Sequence, residues 1–179
     1  MNSNMGLKGK VFIEHIRDGK VIGKYYFSNA IGNQGKNSAL TTLFGAAAAI
    51  TPWYLGMIDS SGYVALAVGD TYQNINQAGN QWAEFTGYTD GNNGDNASTR
   101  PTWGAGTAVS QAITNASPEI FNITAPGTVV GVFVVGGIVA AQNKNDHAAS
   151  GILWATALMG SPIPVAVSDQ LKITYTVTA

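Results

Sequence analysis

The chain has 179 residues, the size of one ordinary domain. Apolar residues make up 45%, enough for a real core, while charged residues make up only 11%, against about 25% in an average soluble domain. There is no cysteine, which excludes disulfides and thiolate metal sites.

The surface must therefore be covered by glycine and by uncharged polar side chains, and 22 glycines are present. Such a surface repels its neighbours weakly, which suits a protein packed against other copies or partners. The net charge of −1 is unevenly spread. Residues 1–36 carry six basic side chains against two acidic ones, a net of +4, and the remainder carries three against eight, a net of −5. No apolar segment reaches the roughly 20 residues of a membrane span. The start, MNSNMGLKGK, has no signal-peptide pattern, so the expectation is a soluble protein made in the cytoplasm.

In chain order, Val11–Ile16 and Lys20–Tyr26 alternate apolar and polar residues around Arg17-Asp18-Gly19, a β-hairpin signature covering about residues 9–27. Val11, Ile13 and His15 share one face; Phe12, Glu14 and Ile16 share the other. His15 beside charged neighbours reads as a satisfied or exposed strand histidine rather than a site residue. Residues 35–48 predict a short helix with Leu40, Leu43 and Phe44 at helical spacing. Gly32 and Gly35 in GNQGK are two residues apart, where a phosphate-binding loop needs four, so that motif is rejected.

Trp53–Ile58 is a compact apolar strand closed by the turn Asp59-Ser60-Ser61-Gly62. Thr71 is a candidate N-cap for one helical turn. Trp82–Tyr88 reads as an aromatic anchor for the long loop 89–102. In that loop Asp90, Asn92, Asn93 and Asp95 could offer oxygen ligands to Ca²⁺, but the spacing is not that of an EF-hand, and Asp-Gly and Asn-Gly pairs make turns for backbone reasons alone. Strands are expected at 108–113 and 119–124.

The stretch Thr128–Ala141 is the longest apolar run, with six valines among fourteen residues. Valine favours a pleated strand, and a run apolar on both faces belongs at the centre of the core. Residues 142–150 form a polar loop holding His147. Gly151–Leu158 is a buried strand punctuated by Ser161-Pro162-Ile163-Pro164, and Leu171–Thr178 alternates most cleanly of all. Eight to ten short strands and one helix predict an all-β single domain over 1–179, built as a two-sheet β-sandwich, jelly-roll-like or Ig-like.

No motif for catalysis, a cofactor or a metal is present, and none is expected. A glycan hydrolase would need two opposed carboxylates, for which Glu84 and Glu119 are available without a recognisable context. The basic hairpin lacks the aromatic–arginine interleaving of nucleic-acid binders. Three segments are NQGKNSALTTLF, WYLGMIDSSGY followed by WAEFTGYTDGNN and TRPTW, and the ending GILWATALMGSPIPVAVSDQLKITYTVTA. In this order, from about Gly35 to Ala179, they resemble a family of small virion structural proteins of tailed bacteriophages. The distinctive residues are Asn37, Leu40, Trp53-Tyr54-Leu55-Gly56, Trp82, Glu84-Phe85, Arg100-Pro101 and Asp169 with the Leu-x-Ile-x-Tyr that follows. The resemblance implies a non-enzymatic particle component, either a head decoration (cement) protein on the capsid surface or a tail or fibre part. Its partners would be the major capsid protein and other copies of itself, with no membrane, nucleic-acid or small-molecule partner. Lys8, Lys10, Arg17, Lys20 and Lys24 are the candidate contacts to an acidic capsid face. On the tail reading, Trp82, Tyr88 and Trp103 would be exposed and bind a glycan.

Overall fold

The structure is a computed structural model describing residues 6–45, 48–75, 81–144, 146–147 and 150–179. The chain is mostly β. The long strands are β1 (Lys8–Arg17), β2 (Lys20–Ile31), β3 (Trp53–Asp59), β9 (Gly127–Gly136), β10 (Ile152–Val165) and β11 (Gln170–Thr178). The shorter ones are β4 (Glu84–Phe85), β5 (Tyr88–Asp90), β6 (Thr102–Trp103), β7 (Ala112–Thr114) and β8 (Glu119–Ile123). One helix, α1, spans Asn33–Phe44, and 3₁₀ turns cover Tyr72–Asn74 and Val139–Gln142.

The expected two separate sheets are replaced by one antiparallel path, β4-β3-β9-β10-β2-β1-β11-β8-β5, with β6 on β3 and β7 on β11. β2 makes it continuous. Along most of its length it pairs with β1, and at its end Ala30 and Ile31 pair with Thr156 and Ala155 of β10. The two ends of the path, β4 and β5, are separated only by Thr86-Gly87. Connectivity so short brings the ends together and curls the sheet nearly into a barrel.

β9 explains the architecture. Val129 to Gly136 are all buried, between β3 on one side and β10 on the other. One face joins the main core, where Val132 and Val134 meet Leu55, Met57, Val11, Ile13, Leu171 and Ile173. The other face joins a second cluster in which Val130, Phe133 and Val135 pack with Tyr72, Ile75 and Trp82 from the 60–82 connection. The apolar run is thus covered twice, as its composition demands. Its last residues leave the strand: Val139 is 77% exposed.

Local expectations are met in the hairpin, where Asp18 and Gly19 both have positive φ and close a tight turn. The 3₁₀ turn at Tyr72 has a capping box between Thr71 and Asn74. Two expectations fail. Pro162 and Pro164 do not end β10; between Leu158 and Ile163 the register with β9 shifts, and the extra residues bulge out so that the prolines are accommodated. The strand expected at 108–113 is reduced to β7, because Ser110 and Gln111 adopt positive φ and turn the chain.

Candidate interaction surfaces

The outward side of the sheet around β1 is built by alternation. With Val11, Ile13 and His15 buried, Lys8, Lys10, Phe12 and Glu14 must project outward. Register places Lys24 and Lys172 on either side of Glu14, Tyr26 and Thr174 beside Phe12, and Ser28 and Thr176 beside Lys10. Phe12 and Tyr26 stack, with ring centroids 4.4 Å apart and planes 21° apart, and Tyr26 is 74% exposed. The result is an outward sheet face with a stacked aromatic pair among four lysines and one glutamate. Lys24 approaches Glu14 at 3.1 Å, an exposed pair of small energetic weight. Lys8, Lys10 and Lys20 are exposed and form no ion pair among the described residues.

Arg17 is placed differently from the lysines. Its guanidinium donates to both carboxylate oxygens of buried Asp169, at 2.6 and 2.7 Å. His15 Nε2 lies 2.8 Å from Asp169 Oδ2, and the amide of Ala166 donates to the same oxygen. The Arg17 hydrogen bonds hold the Asp169 carboxyl well below the usual carboxylate range, with the Ala166 amide and His15 adding to them against desolvation. Arg17 therefore ties the hairpin tip to the β10–β11 turn, and His15 is a satisfied buried strand residue.

The residues expected near the 89–102 loop are also placed. Trp82, Tyr88 and Trp103 are 2%, 1% and 9% exposed, so the anchoring role holds and the glycan-platform role does not. Glu84 meets fully buried Arg100 in a two-point ion pair, Nε to Oε1 at 2.9 Å and Nη2 to Oε2 at 2.7 Å. Arg100 Nη1 donates to the Ala141 carbonyl, and its guanidinium lies 5.4 Å from the Phe133 ring centroid. Burial opposes the Arg100 charge, and Glu84 more than offsets it. Glu119 is buried, accepts from the Gly104 amide at 3.2 Å, and is pushed up to about 7 by desolvation. Its nearest described use is to hold the β6–β7 connection. Asp90 accepts from the amide of Asn92 and from Thr99, and Asn92 accepts from the amide of Ile120. Asp95 accepts from Asn122 and Thr89. These groups serve the turn, and among the described residues no cluster of three or more His, Cys, Asp or Glu is placed to hold a metal ion.

A pocket of about 220 Å³ is lined by Trp53, Trp103 and Trp154 with Leu7, Val134 and Val177 among its walls. No helix of the described residues is long and apolar enough to cross a membrane. No protein-family model, no curated protein and no solved structure matches this chain. Among the described residues the fold is an all-β body with one short helix, in which the Arg17–Asp169 and Arg100–Glu84 pairs tie separate elements together.

Proposed function

We propose that this chain is a non-enzymatic structural component of a bacteriophage particle, made in the host cytoplasm and docked on the capsid surface as a head decoration or cement protein. The observation that carries the reading is the outward face of β2–β1–β11, where Lys8, Lys10, Lys24 and Lys172 surround the Phe12–Tyr26 stack. The sheet fixes the backbone that carries these groups, so only their side chains are ordered on binding, and the charge of the face suits an acidic capsid subunit. The sequence resemblance adds the viral setting. We read the body as two β layers across one core, supported by Val11, Ile13, Leu171 and Ile173 meeting Leu55, Met57, Val132 and Val134.

Cement proteins act by added interface: area buried across subunit joints must be lost before the shell opens, and the effect multiplies over many copies. The test is binding of the purified protein to particles depleted of it. Charge reversal of Lys8 and Lys10 to Glu, both exposed, should leave folding intact, abolish most binding and remove its salt sensitivity. Unchanged binding by this variant would refute the assignment of the face. A tail or fibre position is the competing reading; the burial of Trp82, Tyr88 and Trp103 removes the aromatic argument for it.

A further inference from the structure

A second cavity opens where the sheet loses its ladder. β2 pairs with β10 only at Ala30 and Ile31. Continued in register, that ladder would set Ile22 opposite Pro164. Pro162 and Pro164 have no N–H with which to continue it. Ile22 is also left out of the β1–β2 register, which steps from His15–Gly23 to Ile16–Val21, so it bulges. Between the parted strands lies a cavity of about 320 Å³, walled by Ile22, Tyr25, Pro164 and Val165 and also lined by His15 and Arg17. Its size is at the lower end of small-molecule sites, which run from about 300 to 1,000 Å³.

The polar groups at this cavity are partly spent and partly free. Asp169 accepts from Arg17 Nε and Nη2 and from the Ala166 amide, at 2.6, 2.7 and 2.8 Å. A carboxylate so surrounded is an acceptor only, so His15 Nε2, 2.8 Å from it, donates as well. In the neutral ring Nδ1 is then an acceptor. His15 is 3% exposed, yet Nδ1 keeps accessible surface and takes no hydrogen bond among the described residues. Arg17 Nη1 is likewise unspent, a donor on the neighbouring side chain. The Tyr25 ring reaches over Gly23, the residue facing His15 across the ladder: a Cβ on Gly23 would lie 2.7 Å from the Tyr25 hydroxyl. A polar atom this deep without a partner calls for one.

We propose that this cavity binds a small neutral molecule with an apolar body and an amide head whose N–H and C=O lie side by side, as in a primary amide or a lactam. The head donates to His15 Nδ1 and accepts from Arg17 Nη1, while the body lies on Ile22, Pro164 and Val165. Charge selects the neutral head. Arg17 and ionised Asp169 already cancel, so an incoming carboxylate would meet no net positive charge and would stand beside an acid. A hydrocarbon would cover both free polar atoms without bonding them. The inference does not depend on the capsid reading, because His15, Gly23 and Tyr25 lie on the face of the hairpin opposite the lysines.

The test is a two-dimensional ¹H–¹⁵N spectrum of the histidine side chains in the full chain, titrated with benzamide. His15 and His147 are the two histidines of the sequence. Benzamide should bind with a Kd on the order of a millimolar and move the ring nitrogens of His15, leaving those of His147 in place. Acetophenone, which lacks the donor, and benzoate, which carries a charge, should each bind about tenfold more weakly. Ile22→Trp, at a position 52% exposed, should fill the cavity mouth, keep the circular dichroism spectrum and abolish binding. A His15 ring that benzamide leaves unmoved would overturn the proposal. So would acetophenone binding as tightly as benzamide, the mark of a merely apolar cavity, or benzoate binding more tightly, the mark of an anion site. A folded Ile22→Trp variant that binds like wild type would also overturn it.

Discussion

Replacing Arg100 with Met tests the centre of the second core. Arg100 has 0% exposure, and its guanidinium makes three hydrogen bonds, two to Glu84 and one to the Ala141 carbonyl. Met approximates the length of the stem, so little packing is lost, and the main effect is to leave the Glu84 carboxylate buried without its counter-ion. Breaking one side of a buried pair costs about 3–5 kcal/mol. A domain is typically stable by about 5–15 kcal/mol, so the loss is a large fraction of the total. Converting Glu84 to Gln in the same background removes the orphan charge while keeping an acceptor for the Tyr88 hydroxyl, which now lies 3.1 Å from Glu84 Oε1. The double variant should recover about 1–3 kcal/mol relative to Arg100→Met alone. Urea denaturation followed by tryptophan fluorescence measures both, with equal m values required for the comparison. A loss below about 1 kcal/mol for Arg100→Met, or a double variant as unstable as the sum of the singles, would refute the argument that charge desolvation dominates here.

Three further outcomes follow from the same contacts. Glu119 titrates at about 7 in the fold because of burial and near 4.3 unfolded, so its ionisation destabilises the fold progressively from about pH 4.3 to 7 and by a constant amount above. Glu119→Gln should therefore be more stable than wild type at pH 8, with the difference closing towards pH 5 in urea midpoints; a pH-independent difference would contradict the burial argument. Asp169 has the opposite sign: its folded pKa is depressed, first by Arg17, so its stabilisation is complete above about pH 3.9 and is lost as pH falls further. Asp169→Asn should be destabilised at pH 7 and converge on wild type in acid, and a constant gap would count against the ionic account. In Gly56→Ala the new Cβ would lie 2.2 Å from Phe133 Cζ. That ring is boxed in by Trp82 at 5.5 Å and Arg100 at 5.4 Å, so the cost should be about 1–3 kcal/mol in the same assay.

Elements governed by local period were readable in the sequence. β11 and the β1–β2 hairpin show their buried faces by simple alternation, and the valines of β9 announce a strand covered on both sides. What escaped is what long-range contact decides. Glu84 and Arg100 are 16 residues apart and look like ordinary loop charges until the fold buries both. Arg17 and Asp169 are separated by 152 residues, so nothing local marks Arg17 as tied down while Lys8, Lys10 and Lys20 are not. The spacing of Leu40, Leu43 and Phe44 located α1 but did not say which way the three face; with Gly35 closely approaching Trp154, they lie exposed. The continuity of the sheet through β2 was equally hidden, because periodicity carries no strand order.

On the function proposed above, the basic face of β1 is the surface that would meet an acidic capsid subunit, repeated over the shell. The direct measurement is the copy number of this chain in purified particles, by mass spectrometry against the major capsid protein. The account predicts a ratio near one per capsid subunit or per capsomer joint, with particles lacking the protein opening at lower temperature. Three to a dozen copies per particle (roughly the number of tail positions available) or none at all would contradict it.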